Sequence, residues 1–248
     1  GSILHTREDM DKFFWPDPDQ ADFGLLDRIS EYVPDGMKLI VSGPCGLLEN
    51  VTYLVGVAGI SFMIKDDYKL AEEIFEKIGS RLVRYYELAA QHACVGAIIS
   101  NDDWGYKSNT FFRHEDMRHF IFSWHRKIVE VAHQAGKPAI LHSCGHFQSI
   151  IDDIVDDMKY DGRHSYQDNI LPVEDAYEKY RDRIAILGGI DVDFMCRYKP
   201  EEIYQRSKAM LERSSLRGGY ALGTGNSVPE YLPTENYFAM VRAVLDQW

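Results

Sequence analysis

The sequence predicts an α/β protein built on a parallel sheet, and three observations carry that reading. From Met37 onward, short β-branched runs that end in Gly, Asp or His alternate with longer stretches of helical periodicity. Six such strand-then-helix units follow one another, with strands ending at Ser42, Ser100, Leu141, His164, Leu187 and Leu222. Parallel strands need a crossover of about a dozen residues or more, and helices supply it here. Six units fit either an open doubly wound sheet or most of an eight-stranded barrel short of its first units. No G-x-G-x-x-G or G-x-x-x-x-G-K-[ST] follows any strand, which removes the usual support for a nucleotide-binding open sheet.

Taken in order, residues 1–36 read as a helix-and-loop lead-in, with Trp15-Pro16-Asp17-Pro18 as a turn-rich entry. The first strand, Lys38 to Ser42, stops at Gly43-Pro44-Cys45-Gly46. Asp66 to His92 carries Leu70, Ile74, Ile78, Leu82 and Tyr86 at helical spacing behind an acidic start, which predicts one long helix with a buried face. The second strand, Val95 to Ser100, delivers Asn101-Asp102-Asp103-Trp104-Gly105. A helix over His114 to Gly136 stops at that glycine and Pro138, and Ala139-Ile140-Leu141 then leads into His142-Ser143-Cys144-Gly145-His146. A short helix (Gln148 to Met158) precedes the extended piece ending at His164, and another runs from Val173 to Tyr180. Ile184 to Leu187 ends in Gly188-Gly189-Ile190-Asp191. Pro200, favoured at a first helical position, opens a helix that ends near Gly218. Tyr220 to Leu222 ends in Gly223-Thr224-Gly225-Asn226, and a helix from Pro233 to Leu245 closes the chain. Nothing marks a boundary, so residues 1–248 are expected to form a single domain.

Composition narrows the function. A chain of 248 residues buries roughly 70% of its unfolded surface and needs no staples. Its 39 acidic and 27 basic side chains give a net charge of −12, which repels phosphate backbones and anionic bilayers, so neither nucleic acid nor membrane is an expected partner. The four cysteines, Cys45, Cys94, Cys144 and Cys196, read as thiols of a reducing compartment, and a cytoplasmic location is expected. The longest apolar run, Val51 to Ile64, is broken by Gly56 and Gly59 and is shorter than the about 20 residues a bilayer requires. Gly1-Ser2 and the lack of an initiating Met suggest a processed or partial chain.

Parallel α/β folds place their sites at the C-terminal ends of strands, and the polar residues at those ends are Asp102, Asp103, His142, Cys144, His164, Asp191, Asp193 and Asn226. His142-x-Cys144 is the sharpest signal. Residues two apart in extended chain point the same way, so an imidazole and a thiolate can reach one borderline ion such as zinc. The spacing fits equally a structural cysteine beside a solvated histidine. Third-ligand candidates are Asn226, Cys45, Cys196, Asp191 and His164. Asp102 and Asp103 form an acid pair that can split into acid and base or bind a substrate group, whereas one of them can equally serve as a helix cap. Asp152, Asp153, Asp156 and Asp157 read as a solvated helix face, Cys94 as a small buried hydrophobe, and His114, His119, His125 and His133 as scattered around a helix.

Four blocks together resemble the uroporphyrinogen decarboxylase superfamily: Asn101-Asp102-Asp103-Trp104-Gly105, Pro138 to Gly145, Ala185 to Asp191, and Gly219 to Pro229. The resemblance covers most of the chain from Pro16 onward. It implies a (β/α)8 TIM-type barrel, lacking here its first one or two βα units because members of the superfamily are usually longer at the N-terminus. The branch that transfers methyl groups from corrinoids carries H-x-C plus a distant Cys as zinc ligands. His142 and Cys144 match that pattern, and Asn226 stands at the distant position. The resemblance thus implies zinc held by His142 and Cys144, with Asn226 facing the bound group, and Asp102, Asp103, His164 and Asp191 in catalytic or orienting roles. A methylcorrinoid on a partner protein would supply the methyl group to a thiol or similar small-molecule acceptor, and a homodimer is a further expected association. The alternatives are a metal-free decarboxylase acting on a porphyrinogen-like carboxylate, for which the chain shows no R-Q-A-G-R segment and ends its last strand in Gly-Thr-Gly-Asn, and a non-catalytic binding or assembly module.

Overall fold

The computed structural model describes residues 2–246. Six strands form one parallel sheet in the order β1-β2-β3-β4-β5-β6: β1 Leu39–Ser42, β2 Val95–Asn101, β3 Ala139–His142, β4 Gly162–His164, β5 Ala185–Leu187 and β6 Tyr220–Ala221. Chain order equals spatial order, so the sheet grows in one direction and curls as a partial barrel, without the reversal of strand order that defines a doubly wound sheet.

The helices fall between the strands as the periodicity predicts, with two additions. The lead-in holds α1 (Arg7–Lys12) and α2 (Gly24–Ser30). Between β1 and β2 lie α3 (Leu47–Val55), α4 (Val57–Asp66) and α5 (Tyr68–Ala90). The first addition is α3 with α4, which span the run from Val51 to Ile64 that the sequence shows only as apolar. That run hides its period because few polar residues interrupt it, and Gly56, with φ of +84°, turns the chain between the two helices. They bend by 93° there, and among the described residues no single helix is long and apolar enough to cross a membrane. α6 (His114–Met117) passes through a π-helical turn, Arg118–Phe122, into α7 (Ser123–Gln134). The β4–β5 crossover carries α8 (Val173–Tyr180). The second addition, α9 (Val192–Arg197), follows β5 and precedes α10 (Pro200–Ser214), and α11 (Thr234–Leu245) packs on α10.

Strand register sorts the side chains into two rows. Ser100, Leu141, Arg163 and Ile186 are aligned on one face, and all four are buried beneath the helices. Asn101, His142, His164, Leu187 and Ala221 are aligned on the opposite face, where burial is partial or absent. Because alternate residues of a strand point to opposite faces, one step along β4 separates a fully buried guanidinium from a half-buried imidazole.

The N-terminus of α3 docks on the end of β2 through a close approach at Gly46. A Cβ built there would lie 2.2 Å from the Asn101 carbonyl oxygen and 2.2 Å from Asp102 Oδ1. We therefore expect Gly46→Ala to lower stability by about 2 kcal/mol, measured by denaturant unfolding, because both obstacles are fixed. An unchanged unfolding midpoint would contradict this packing.

Candidate metal centre

His142 closes β3 and Cys144 lies two residues beyond it, so strand parity brings both side chains to the open face, with His142 Nε2 3.8 Å from Cys144 Sγ. The third member of the cluster is Asp103, in the loop after β2. Ligand atoms of Asp103, His142 and Cys144 all lie within 4.8 Å of one another, and the three residues are half-buried. From sequence alone Asp103 reads as a catalytic acid, and the third ligand stands open among Asn226, Cys45, Cys196, Asp191 and His164. The fold brings Asp103 instead, because the loop that carries it folds back onto the Cys144 loop. Gly145, with φ of +83°, lets these loops touch: a Cβ there would lie 2.1 Å from the Gly105 carbonyl oxygen. The His146 N–H donates to the Tyr106 carbonyl, and the Cys144 N–H donates to Asp103 Oδ1 at 2.7 Å, which leaves Asp103 Oδ2 for another partner.

Two histidines settle each other's tautomers. His164 Nε2 is 3.0 Å from the Thr224 carbonyl, which only accepts, so Nε2 carries the proton. Burial holds His164 below its usual pKa, with the Thr224 carbonyl acting the other way. In the neutral ring His164 Nδ1 is then an acceptor, and His142 Nδ1, 2.6 Å away, donates to it. His142 Nε2 is left with its lone pair toward Cys144 and Asp103. Burial, aided by the neighbouring His164, lowers the His142 pKa to about 4, so this ring is neutral at neutral pH. Gly188 makes the arrangement possible, since a Cβ there would sit 2.3 Å from the Thr224 oxygen and 2.7 Å from the His164 ring.

Around the sulfur, Ser165 Oγ and Asn226 Nδ2 each stand 3.2 Å from Cys144 Sγ. Asn226 Oδ1 accepts the Ser227 N–H, so the amide turns its NH2 to the sulfur and its oxygen away. Asn226, expected to face a bound group, donates here to the cysteine. Burial pushes the Cys144 thiol above its ordinary pKa, an effect that the Ser165 hydroxyl opposes. Ser165 itself sits at φ of +83°, a conformation unusual for a residue with a side chain.

The other predicted acids are engaged by backbone and ring N–H groups. Asp102 is fully buried, and its oxygens accept the N–H groups of Leu48 and Glu49, the Trp104 indole N–H and His125 Nε2. It anchors the first turn of α3, so the acid pair divides into a positioning carboxylate and a ligand-capable one. Asp191 caps α9 by accepting the Phe194 N–H, and its other oxygen accepts the Asp168 N–H. His125, read from sequence as one of several scattered histidines, is buried and joins Asp102 to the Tyr160 and Ser100 hydroxyls.

Sequence reasoning missed Glu49, Ser165 and Thr224. Glu49 Oε2 accepts the Gly46 N–H and Asn101 Nδ2–H, and burial pushes its carboxyl up. Its only sequence signal is its place in the first turn of a helix that periodicity did not reveal.

The depressed histidine implies a pH dependence. An unfolded His142 protonates near pH 6.5, whereas the folded one resists protonation down to about 4, so the unfolded state binds more protons in between. Its contribution, at most about 3 kcal/mol, is present above pH 6.5 and is lost as pH falls toward 4. In chelator-treated protein the melting temperature should fall across this window, and His142→Gln should flatten the slope. An equal slope in both proteins would refute the burial argument.

Comparison with known proteins gives a family and a fold. A sequence profile of the uroporphyrinogen decarboxylase (URO-D) family matches residues 3–247. A curated uroporphyrinogen decarboxylase from Anaeromyxobacter dehalogenans (strain 2CP-C) is 25% identical over 259 aligned positions, covering 98% of this chain and 69% of that protein. Among solved structures, a methyltransferase from Methanosarcina mazei superposes with a TM-score of 0.73 at 19% identity, over 90% of this chain and 62% of its own. The chain therefore spans about six-tenths of the length of that methyltransferase. CbXyn10B in native form superposes with a TM-score of 0.54 at 13% identity, over 91% of this chain and 84% of its own. With a family profile matched almost end to end on a partial parallel barrel, this chain belongs to the uroporphyrinogen decarboxylase (URO-D) family.

Proposed function

We propose that this chain is a metal-dependent methyltransferase in which Asp103, His142 and Cys144 hold a zinc ion and a small thiol or similar acceptor takes a methyl group from a methylcorrinoid on a partner protein. The observation that carries the reading is the convergence of one sulfur, one imidazole nitrogen and one carboxylate oxygen within 4.8 Å at the C-terminal end of the sheet. Those are zinc's donor types, and three protein ligands leave a position open for chemistry. The fold shared with the Methanosarcina mazei methyltransferase and the family membership support it.

The residues present suit such a group. When bound, zinc supplies a Lewis acid that lowers the pKa of an acceptor thiol or hydroxyl. His142 presents a lone pair at neutral pH because His164 takes its Nδ1 proton as a hydrogen bond, the usual support for a ligating imidazole. Ser165 and Asn226 aim donors at the Cys144 sulfur and so favour its thiolate. Asp103 is held by the Cys144 N–H, and the buried Asp102 fixes the strand end from which its loop departs. Acceptor and donor would approach from the open face, which carries Asn101, His142 and His164. We place the protein in the cytoplasm on its four free thiols, and a second copy at the edges of β1 or β6, which pair with no further strand among the described residues.

Protein prepared without added metal should contain about one zinc per chain. Asp103→Asn, His142→Ala and Cys144→Ser should each remove it and abolish thiol methylation by methylcobalamin, read by metal analysis and mass spectrometry. Metal retained in all three variants, or methyl transfer indifferent to chelators, would overturn the reading.

A further inference from the structure

Arg163 is the residue the chemistry above leaves unused, and it is fully buried. Its position follows from strand parity: it neighbours His164 but points to the helix-covered face of β4, aligned with Leu141 and Ile186. NH1 donates to the Ser165 carbonyl and NH2 to the Ser143 carbonyl, both at 2.7 Å, whereas Nε has no partner among the described residues. The guanidinium carbon lies 3.5 Å from the Phe147 ring centre and 4.9 Å from that of Tyr166. Among the described residues no carboxylate receives any of these donors, which is an expensive way to bury a cation. A leucine or methionine would fill the same space at less cost. The two carbonyls explain the choice, because they belong to residues that flank the sulfur: Ser143 precedes Cys144, and Ser165 places its hydroxyl 3.2 Å from Cys144 Sγ.

We propose that Arg163 is a positioning residue whose planar fork staples the β3 and β4 exit loops together from beneath and so sets the Cys144 sulfur in place. A guanidinium spans two carbonyls at fixed spacing, whereas an ammonium on a flexible stem does not. The same staple holds Ser165 at its positive φ, where its hydroxyl meets the sulfur. The proposal rests on the metal reading for one of its two readouts only.

The experiment compares wild type with Arg163→Met and Arg163→Lys. Hydrogen exchange at the amides of Cys144, His146 and Asp168 reports the loops directly. Cobalt(II), titrated into chelator-treated protein and followed through its sulfur-to-cobalt absorption, reports the sulfur. Arg163→Met should melt at or above the wild-type temperature, since an apolar isostere relieves a buried charge. It should nevertheless exchange faster at the three amides and bind cobalt roughly 10- to 100-fold more weakly. Arg163→Lys should show the same two losses, because charge without the fork does not span the carbonyls. Unchanged exchange in both variants would overturn the proposal. If Arg163→Met fails to fold, Arg163→Lys decides by the same readouts, and Ser165→Ala, which leaves the staple intact, should weaken cobalt without loosening the amides. If wild type binds no cobalt, the metal reading fails while the exchange comparison still decides the role of Arg163.

Discussion

The buried carboxylate of Asp102 is the interaction on which the site depends. It accepts two N–H groups from the first turn of α3, an indole N–H from Trp104 and an imidazole N–H from His125. Three separate pieces of chain, the start of α3, the β2 exit and α7, thus meet at one fully buried group. A carboxylate in that environment is tolerable because its oxygens are met by donors, and a helix N-terminus is where such a charge is most welcome. Losing it would leave the His125 ring, the indole and two α3 amides without an acceptor in the interior. Its neighbour Asp103, one residue later in the same loop, is thereby held where it reaches Cys144.

Strand alternation then divides the chemistry from its support. On the open face, Asn101, His142 and His164 stand side by side on adjacent strands, and the two imidazoles share a proton whose location the Thr224 carbonyl decides. On the covered face, the next residue back along β4 is Arg163, which grips the loops carrying Cys144 and Ser165 from below. The site is organised through backbone groups as much as through side chains. Carbonyls of Thr224, Ser143 and Ser165 and the amide of Cys144 fix a tautomer, two loops and a carboxylate respectively.

The β4–α8 loop is tethered from a second direction. The Asp168 N–H donates to Asp191, and the Asp168 carboxylate pairs with Arg206, which also grips Glu174. Arg206 is mostly buried and stacks over Phe194, so this pair is shielded in a way that exposed ion pairs along α5, such as Arg84 with Asp19, are not. Asp191 therefore caps α9 and holds the loop that carries Ser165.

What the sequence determined by itself was the layer architecture and the local pairing of His142 with Cys144. Both depend on short periods, two for strands and about 3.6 for helices, that a chain displays wherever polar and apolar residues alternate. The six strands, the long α5 and the spacing of H-x-C all follow from such local rules. α3 and α4 escaped because an apolar run lacks the contrast from which a period is read. The tertiary structure decided which distant groups meet. Asp103 as the third member of the His142–Cys144 cluster, Asn226 as a donor to the sulfur, the assignment of Asp102 to a helix start, and the grip of Arg163 on two exit loops all turn on how loops after different strands fold over one another. Those contacts join residues far apart in the chain, and no local pattern specifies whether a given aspartate points at a sulfur or at a backbone amide.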